Sequence, residues 1–131
     1  LPTEAQWEYS ARGGTTTPWW TGADPDDLRS GGNYGTKPHF VSQIGCYKAN
    51  PFGLHDTMGN VWEWCRDPYA QLRKGKLTVV DSQLGLAQCA VNRGGGFLGQ
   101  IGSVTSAVRC AVEPWFAAVD LGVRPMRPVN R

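Results

Sequence analysis

Residues 93–124 read RGGGFLGQIGSVTSAVRCAVEPWFAAVDLGVR, and two kinds of position alternate along this stretch. Glycine, serine, proline and arginine recur at places typical of a scaffold, whereas large side chains such as Trp115 and Phe116 fill places between them. Neither a helical nor a strand period accounts for this mixture. Because segments rich in glycine and serine usually form irregular loops, one interpretation is a plain surface loop. The other is a loop whose intervening positions carry the function.

The composition of the whole chain favours one globular domain with many loops. Its 131 residues are enough to bury a core without a metal ion or a disulfide. The 17 glycines and 9 prolines indicate many turns, while 6 tryptophans, 4 tyrosines and 4 phenylalanines supply anchors that disordered chains lack. The net charge of +2 comes from interspersed acids and bases, so no basic stripe indicates a nucleic-acid partner.

The four cysteines, Cys46, Cys65, Cys89 and Cys110, are widely spaced along the chain. None lies in a CxxC pair or near a histidine at metal-ligand spacing, which argues against a zinc site. We expect the cysteines to be buried as small apolar residues. One bridged pair in an oxidising compartment stays open as an alternative.

The apolar runs of the chain are too short to cross a bilayer, so we expect no membrane insertion by this domain. The first residues lack the basic and then apolar pattern of a signal peptide. The sequence starts at Leu1, without methionine, directly on a helix start signal. We therefore expect that an upstream segment is missing, or was removed together with any targeting signal.

Residues 1–14, LPTEAQWEYSARGG, predict the clearest helix. Thr3 begins a capping box with the glutamine three residues later, and Gly13 provides a left-handed stop. Trp7 and Ala11 share one face, so we expect the helix to dock on an apolar surface. The proline- and glycine-rich stretch that follows predicts a loop, which the tryptophan pair at 19–20 attaches to the core.

Short extended runs predict strands elsewhere in the chain. In residues 61–64, VWEW, alternation places the two tryptophans on one side and Val61 and Glu63 on the other. The Glu63 carboxylate is then held among apolar neighbours and needs a partner. Further short strands are expected at residues 44–47, 77–80, 89–93 and 95–98.

The sequence contains, in series, the blocks LPTEAQWEYSARGG and NPFGLHDTMGNVWEWCRDPY and the segment from Asn92 to Arg124. Together these blocks resemble the formylglycine-generating enzymes, also called the sulfatase-modifying factor family, over most of the chain. The resemblance implies an α+β, C-type lectin-like fold of the formylglycine-generating-enzyme type, loop-rich with short strands. It also implies a single domain over residues 1–131, without the strands and helix that family members carry before the first block.

The enzymes of this family oxidise a substrate cysteine with copper and use two cysteines shortly after the double glycine. Counted from residues 94–95, those places fall near Gly99 and Val104, which offer no thiolate and no redox sulfur. We therefore expect no copper and no oxidase activity. The iron-binding helical domain of a related branch is also absent, and His39 and His55 are interpreted as surface or loop residues.

A third branch of the family comprises the variable proteins of diversity-generating retroelements, in which a reverse transcriptase rewrites adenines in the C-terminal part of the gene. Residues 93–124 keep the frame of that segment without a gap, with Gly96 for the usual serine and Val123 for the usual phenylalanine. Gln100, Glu113 and Trp115 do not arise from adenine changes in an asparagine codon and need another codon. The resemblance implies these ligand-binding residues: Phe97, Leu98, Gly99, Gln100, Val108, Cys110, Ala111, Val112, Glu113, Trp115, Phe116, Ala118, Val119 and Asp120.

In such a fold the segment covers a solvent-facing surface, where its large side chains form an exposed apolar patch. Glu113 and Asp120 are expected at the rim. Exposed apolar patches mark protein interaction sites, and aromatic side chains dominate the energetics of interfaces. The alternative is that Trp115 and Phe116 are core residues that close a loop, because tryptophan is largely buried in most folds.

The resemblance also raises the question of calcium. In the enzymes a calcium ion lies on the block that corresponds to residues 56–63, bound by side chains at both ends and by carbonyl groups between them. Here Asp56 and Glu63 supply the two carboxylates, and Gly59 and Val61 supply the carbonyl positions, which is the oxygen chemistry that Ca²⁺ prefers. The alternative is that the two carboxylates accept hydrogen bonds from the loop backbone, with no ion.

These observations predict a non-catalytic, receptor-type domain that binds a protein or cell-surface ligand through diversified residues. The alternative from another class is a formylglycine-generating-type oxidase or an inactive accessory subunit of that family. A third interpretation is a plain structural module fused to another domain. A diversified site has no fixed ligand, so the sequence does not name one; the resemblance implies a prokaryotic or phage origin and display on a cell or virion surface.

Overall fold

The structure, a computed structural model, describes residues 1–35, 40–73, 76–79 and 89–127. Helix α1 spans Glu4–Arg12, and two 3-10 helices span Pro25–Ser30 and Ile101–Ser103. The strands are β1 (Trp62–Pro68), β2 (Ala70–Arg73), β3 (Lys76–Val79), β4 (Ala90–Arg93), β5 (Cys110–Val112) and β6 (Leu121–Gly122). Loops connect these short elements, as the glycine and proline content predicts.

Helix α1 begins and ends where its capping residues predict. Thr3 Oγ1 accepts a hydrogen bond from the Gln6 backbone at 3.1 Å, and Gln6 Oε1 accepts one from the Thr3 backbone at 2.9 Å. Gly13 closes the helix with φ 58°, where glycine is favoured because it has no Cβ. Trp7 and Ala11 are buried, so the predicted apolar face is confirmed.

The main sheet has the strand order β5-β4-β1-β6, and β2 pairs with β3 in a separate two-stranded sheet. Strand β4 runs antiparallel to both β1 and β5, whereas β6 runs parallel to β1 with Leu121 opposite Trp62. The last strand therefore lies beside the first strand of the sheet. This pairing brings the end of the 93–124 segment back to the middle of the chain.

Helix α1 packs on one face of this sheet. Trp7 and Ala11 form a buried cluster with Cys65 of β1 and Val91 of β4. Glu63, two residues before Cys65, faces the same side and is buried as well. The predicted burial of this carboxylate is thus confirmed, and its partners are described below.

A second core is assembled almost wholly from loops. It contains Trp19, Leu28, Met58 and Val104, against which Trp20 and other half-buried rings pack. The tryptophan pair thus attaches the long N-terminal loop to the core, as predicted. Burial of such side chains stabilises irregular backbone at about 25 cal/mol for each Å² of apolar surface removed from water.

Two of the predicted strands are wrong. Residues 44–47 form a turn, in which the Cys46 backbone donates to the Gln43 carbonyl at 3.3 Å and Ile44 is exposed. At residues 95–98 no strand forms, because Gly95 has φ 77°, which is incompatible with an extended strand, and a turn follows in which the Gly99 N–H donates to the Gly96 carbonyl at 2.9 Å. The strands predicted at 77–80 and 89–93 correspond to β3 and β4, while Val80 and His39 lie outside the described residues.

The cysteines differ in their surroundings, and all four are free thiols. Cys65 and Cys89 are buried as expected, and Cys110 is half-buried. Cys46 is exposed, which corrects the expectation that all four are buried. It lies in the turn at residues 44–47, where no strand forms to bury it.

Candidate functional site

The 93–124 segment starts with a turn that only glycine can make. Gly94 and Gly95 have φ angles of 93° and 77°, in the left-handed region. A Cβ atom at Gly95 would lie 2.5 Å from the Ser103 carbonyl oxygen, and one at Gly94 would lie 3.0 Å from the Trp7 ring. The double glycine therefore serves close backbone packing, which supports its interpretation as scaffold.

Phe97 was predicted to bind ligand, and the structure corrects this prediction. Its side chain is only 5% exposed. Its backbone N–H donates to the Asn60 carbonyl at 2.8 Å, and its carbonyl accepts from the Gly35 backbone at 3.1 Å. Because these bonds fix the backbone and burial of the ring is favourable, Phe97 is an anchor of the turn.

Arg93 ties the middle of the segment to helix α1. The side chain is completely buried, and Nη1 donates to the carbonyls of Ala107 at 2.8 Å and Val108 at 2.6 Å. Nη2 donates to the Glu8 carboxylate, and the guanidinium lies 5.5 Å from the centre of the Trp7 ring. A buried charge needs this degree of pairing, because an unpaired one is strongly unfavourable.

Arg109 anchors the segment just before β5. Its guanidinium donates to both oxygens of the Glu4 carboxylate, at 2.8 Å for Nη2, and to the Ala70 carbonyl at 2.8 Å. It also lies 4.9 Å from the centre of the Tyr69 ring, a cation–π distance. The hydrogen bond with Glu4 raises the pKa of Arg109 above its ordinary value, which favours the charged guanidinium.

Arg124 anchors the end of the segment to β1. Its Nε and Nη2 donate to the two oxygens of Glu63 at 2.8 and 2.6 Å, a bidentate pair. Nη2 also donates to the carbonyls of His55 at 2.9 Å and Asp56 at 3.3 Å. Glu63 accepts one more hydrogen bond from Trp7 Nε1 at 2.7 Å. The buried carboxylate thus has the partners that the sequence predicted it would need.

Between these anchors the segment exposes five large apolar side chains, one of which is Val123 next to the Arg124 anchor. At the predicted ligand-binding positions, Trp115 is 73% exposed, Val119 77%, and Phe116 and Leu98 51% each. The alternative that Trp115 and Phe116 are core residues is therefore wrong. We call Leu98, Trp115, Phe116 and Val119 the display residues.

The other predicted ligand-binding residues differ in exposure. Gln100, Glu113 and Ala118 are exposed, whereas Gly99, Val108, Cys110, Ala111, Val112 and Asp120 are half-buried. Asp120 packs against the start of the segment, since a Cβ at Gly96 would lie 2.3 Å from its Oδ2. This contact connects the loop after the double glycine with the loop before β6. Glycine in place of serine at position 96 leaves the space that the Asp120 carboxylate fills.

The charged side chains in the loop around Trp115, Phe116 and Val119 are all negative. From residue 110 to residue 123 the ionisable acids and bases are Glu113 and Asp120, both acidic. The arginines on either side, Arg109 and Arg124, are engaged with Glu4 and Glu63. A ligand would therefore meet apolar side chains accompanied by negative charge.

The two places at which the family's oxidases carry cysteines have other roles here. Val104 is completely buried in the second core. A Cβ at Gly99 would lie 2.3 Å from Ser103 Oγ, so a side chain there requires the serine to move. Burial also raises the pKa values of the Cys65 thiol, to about 12, and of the Cys110 thiol. A raised pKa opposes formation of the thiolate that copper or redox chemistry uses.

The residues predicted to bind calcium come together in part. Asp56, Val61 and Glu63 line one cavity of 380 Å³ with Arg124, whereas Gly59 is not among its lining residues. Asp56 Oδ2 accepts from the Gly45 backbone at 2.7 Å, and Asp56 Oδ1 is buried without a hydrogen-bond partner.

Observations at the loop of residues 56–63 favour each of the two alternatives, a bound calcium ion and carboxylates satisfied by hydrogen bonds alone. An unpartnered buried carboxylate oxygen suits a hard cation. The three hydrogen bonds to Glu63 satisfy that carboxylate without an ion, although their donors are side chains and not loop backbone. Within the described residues, no group of three or more His, Cys, Asp or Glu side chains is placed to hold a metal ion.

Sequence reasoning missed the residues of α1 that hold the arginines. Glu4 and Glu8 lie four residues apart on the helix and therefore on one face. Their spacing indicates a shared acidic face, although nothing in the sequence identifies partners 85 and 105 residues away.

Among the described residues, no helix is long and apolar enough to cross a membrane.

Comparisons with known proteins agree with this geometry. The model of the sulfatase-modifying factor enzyme 1-like domain matches residues 1–129. The chain is 36% identical over 114 residues to a formylglycine-generating enzyme of Streptomyces coelicolor. This alignment covers 75% of this chain and 36% of that protein. The chain is 34% identical over 84 residues to an inactive Cα-formylglycine-generating enzyme 2 of Bos taurus, covering 53% of this chain and 27% of that protein.

A solved structure adds a second kind of relative. Treponema denticola variable protein 1 superposes with a TM-score of 0.83 at 30% sequence identity, over 94% of this chain and 45% of that one. The chain thus spans between 27% and 45% of the length of the relatives named here. The predicted α+β, C-type lectin-like fold, loop-rich with short strands, is confirmed. With its double-glycine turn, its arginine anchors and a family match over nearly its whole length, the chain belongs to the sulfatase-modifying factor family, that of the formylglycine-generating enzymes.

Proposed function

We propose that this domain is a non-catalytic ligand-binding domain of the variable-protein type, which presents the display residues to a protein or cell-surface ligand. The observation that carries the proposal is the exposure of Leu98, Trp115, Phe116 and Val119 on a segment anchored by three arginines. Isolated exposed apolar residues are ordinary, but four in one segment are typical of an interaction surface.

The likeness to Treponema denticola variable protein 1, whose name marks it as a variable protein, supports this function. By this proposal the anchors keep the backbone in place while the display residues differ between versions of the protein. The domain would act on a cell or virion surface, in an organism or phage that carries a diversity-generating retroelement.

The gene neighbourhood tests the diversification. We expect a near-identical template repeat downstream of the gene, followed by a reverse transcriptase gene. Differences between repeat and gene should fall at adenines and should cluster in the codons of the display residues and their neighbours. A repeat whose differences fall mainly on Arg93, Arg109 or the double glycine would contradict the proposal.

The competing function is oxidation of a substrate cysteine, which the names of several curated relatives favour. Gly99 and Val104 argue against it. We expect that the purified domain, given copper and oxygen, leaves a CxPxR peptide unchanged. A loss of about 18 Da on the peptide's cysteine, measured by mass spectrometry and faster than in a protein-free control, would establish the oxidase instead.

We also propose a structural calcium ion at the loop of residues 56–63. The support is the buried and unpartnered Asp56 Oδ1, in the same cavity as Glu63. Asp56 and Glu63 would supply the carboxylates and Gly59 and Val61 the carbonyl groups. An ion there would neutralise the Asp56 carboxylate, which forms no ion pair in the described part of the chain.

A further inference from the structure

A cavity of 440 Å³ opens between the two 3-10 helices. Its volume lies in the range of about 300–1,000 Å³ that is typical of small-molecule sites. Gln100 is the one predicted ligand-binding residue that lines it, and the display residues do not. The side chains that matter for its chemistry are Asp26, Arg29, Tyr34, Tyr47, Gln100 and Ile101.

The floor of this cavity is fixed by backbone packing. A Cβ atom at Gly32 would lie 2.0 Å from the Met58 carbonyl oxygen, so no larger residue fits there. Gly35 has φ 54° and donates its N–H to the Phe97 carbonyl at 3.1 Å. Because the floor belongs to the second core and to the anchored turn, the cavity has a defined shape.

The walls offer both hydrogen-bond donors and hydrogen-bond acceptors, and their charged side chains carry no net charge. Asp26 and Arg29 form an ion pair at 3.1 Å, and both side chains are exposed to the cavity's solvent. Within the described residues, the hydroxyls of Tyr34 and Tyr47 and the side-chain amide of Gln100 make no hydrogen bond. These groups are free to donate to a ligand and to accept from it.

The two tyrosines add apolar surface to this polar set. Their rings are half-buried, so part of each ring faces the cavity and part is held by the protein. Burial raises the pKa of Tyr34, which keeps its hydroxyl protonated at neutral pH and available as a donor. Aromatic rings with a polar group at one end bind ligands that have one apolar and one polar face.

We propose that this cavity binds a neutral polyhydroxylated ring, such as a monosaccharide or the terminal sugar of a glycan. Ring hydroxyls both donate and accept, which matches the carboxylate, guanidinium and amide around the cavity. The C–H face of such a ring packs on a tyrosine ring. Asp26 disfavours an anion and Arg29 disfavours a cation, so a neutral ligand fits the electrostatics best.

This site is separate from the ligand surface proposed above and does not depend on it. Tyr34 and Tyr47 lie outside the 93–124 segment, and Gln100 lies inside it. If the segment is diversified, residue 100 is the position at which diversification would tune the choice of sugar. That single consequence rests on the proposed function.

The test is a titration of the isotope-labelled domain, followed by NMR, with glucose, galactose, mannose and N-acetylglucosamine to about 50 mM. We expect saturable shifts of the Tyr34, Gly35 and Gln100 amides with at least one sugar, at a dissociation constant on the order of millimolar. Q100A and R29A change exposed side chains and should keep the fold while weakening binding at least tenfold together.

A double variant at the display residues, W115S with F116S, is the matched control and should bind the sugar unchanged. Loss of sugar binding in this control would place the site elsewhere and overturn the proposal. The absence of saturable shifts with all four sugars would overturn it too, as would shifts that persist in the variant with Q100A and R29A. Tighter binding of inorganic phosphate than of any sugar would show that the ligand class is wrong.

Discussion

The buried guanidinium of Arg93 joins helix α1 to the 93–124 segment. Arg93 contacts Glu8, the ring of Trp7 and two carbonyl groups of the segment, with no part of its side chain exposed to solvent. Burial of a charge is unfavourable by several kcal/mol, which the surrounding hydrogen bonds offset. The contribution of Arg93 to the free energy of unfolding is therefore measured by replacing Arg93 while its partners remain.

We expect Arg93→Met to lower the free energy of unfolding by about 3 kcal/mol or more, because it leaves buried carbonyls and a carboxylate unpaired. The matched control is Arg29→Met, which removes an arginine from an exposed ion pair and should change stability by less than about 0.5 kcal/mol. Urea unfolding of both variants measures the difference. Equal effects would mean that the Arg93 network contributes no more than a surface pair.

The thiols give a second prediction at the scale of single residues. Burial raises the pKa of Cys65 to about 12, whereas Cys46 is exposed. At pH 8 only about one Cys65 thiol in ten thousand is then ionised, and this fraction rises roughly tenfold with each pH unit until the pH nears 12. In the folded protein we expect iodoacetamide to label Cys46 and spare Cys65, as measured by mass spectrometry. Labelling of both at one rate would contradict this burial.

At the scale of elements, the segment contains two phenylalanines in opposite surroundings. Phe97 is buried in the turn after β4, and Phe116 belongs to the exposed loop between β5 and β6. Phe97→Ala should lower stability by about 3–5 kcal/mol, because it leaves a cavity. Phe116→Ala should change it by less than about 0.5 kcal/mol. Thermal or urea unfolding compares the two identical substitutions.

The same logic extends to the display residues as a set. Simultaneous replacement of the four display residues by serine should leave a folded domain that still unfolds in one cooperative transition. Val108 and Val112 are half-buried, so they belong in a separate variant that should be less stable. A display-residue variant that does not fold would make the segment part of the core and would remove the physical basis of the proposed function.

The loop of residues 56–63 is the other element with a testable property. If calcium binds there, millimolar calcium added after chelation should raise the melting temperature by mass action. Asp56→Asn should reduce the rise, since asparagine keeps a neutral oxygen and tolerates the φ of 57° but loses the charge. Asp27→Asn, at an exposed position, is the control.

Glu63→Gln would be a poor test of calcium, because it also weakens the bonds to Arg124 and Trp7. Melting curves that coincide with and without calcium would favour the alternative in which hydrogen bonds alone satisfy the loop.

At the scale of the whole molecule, local patterns in the sequence predicted the local structure. The capping box, the Gly13 stop and the buried face of α1 follow from residues within one turn of each other, and each is confirmed. The burial of Glu63 followed from alternation in β1. The fold itself came from the resemblance to the family and not from periodicity, because most of the chain is loop.

What the sequence did not predict is long-range. The partners of Arg93 and Arg109 are Glu8 and Glu4, 85 and 105 residues away along the chain. No periodicity connects such positions. The burial of Phe97 was missed for a similar reason, since its hydrogen bonds to Asn60 and Gly35 depend on how distant loops pack. The polar cavity likewise is lined by residues from two 3-10 helices that are far apart along the chain.

The parallel pairing of the two-residue strand β6 with β1 has a kinetic consequence. The Trp62 backbone N–H donates to the Asp120 carbonyl at 2.7 Å, so it is protected from exchange only while the end of the 93–124 segment is paired with β1. Its exchange with deuterium oxide therefore reports on opening of that segment, independently of global unfolding. We expect Arg124→Ala to accelerate exchange at Trp62 while the Trp7 amide, inside α1, exchanges as before. The exchange rate of the Trp62 amide would thus measure how often the end of the 93–124 segment separates from β1.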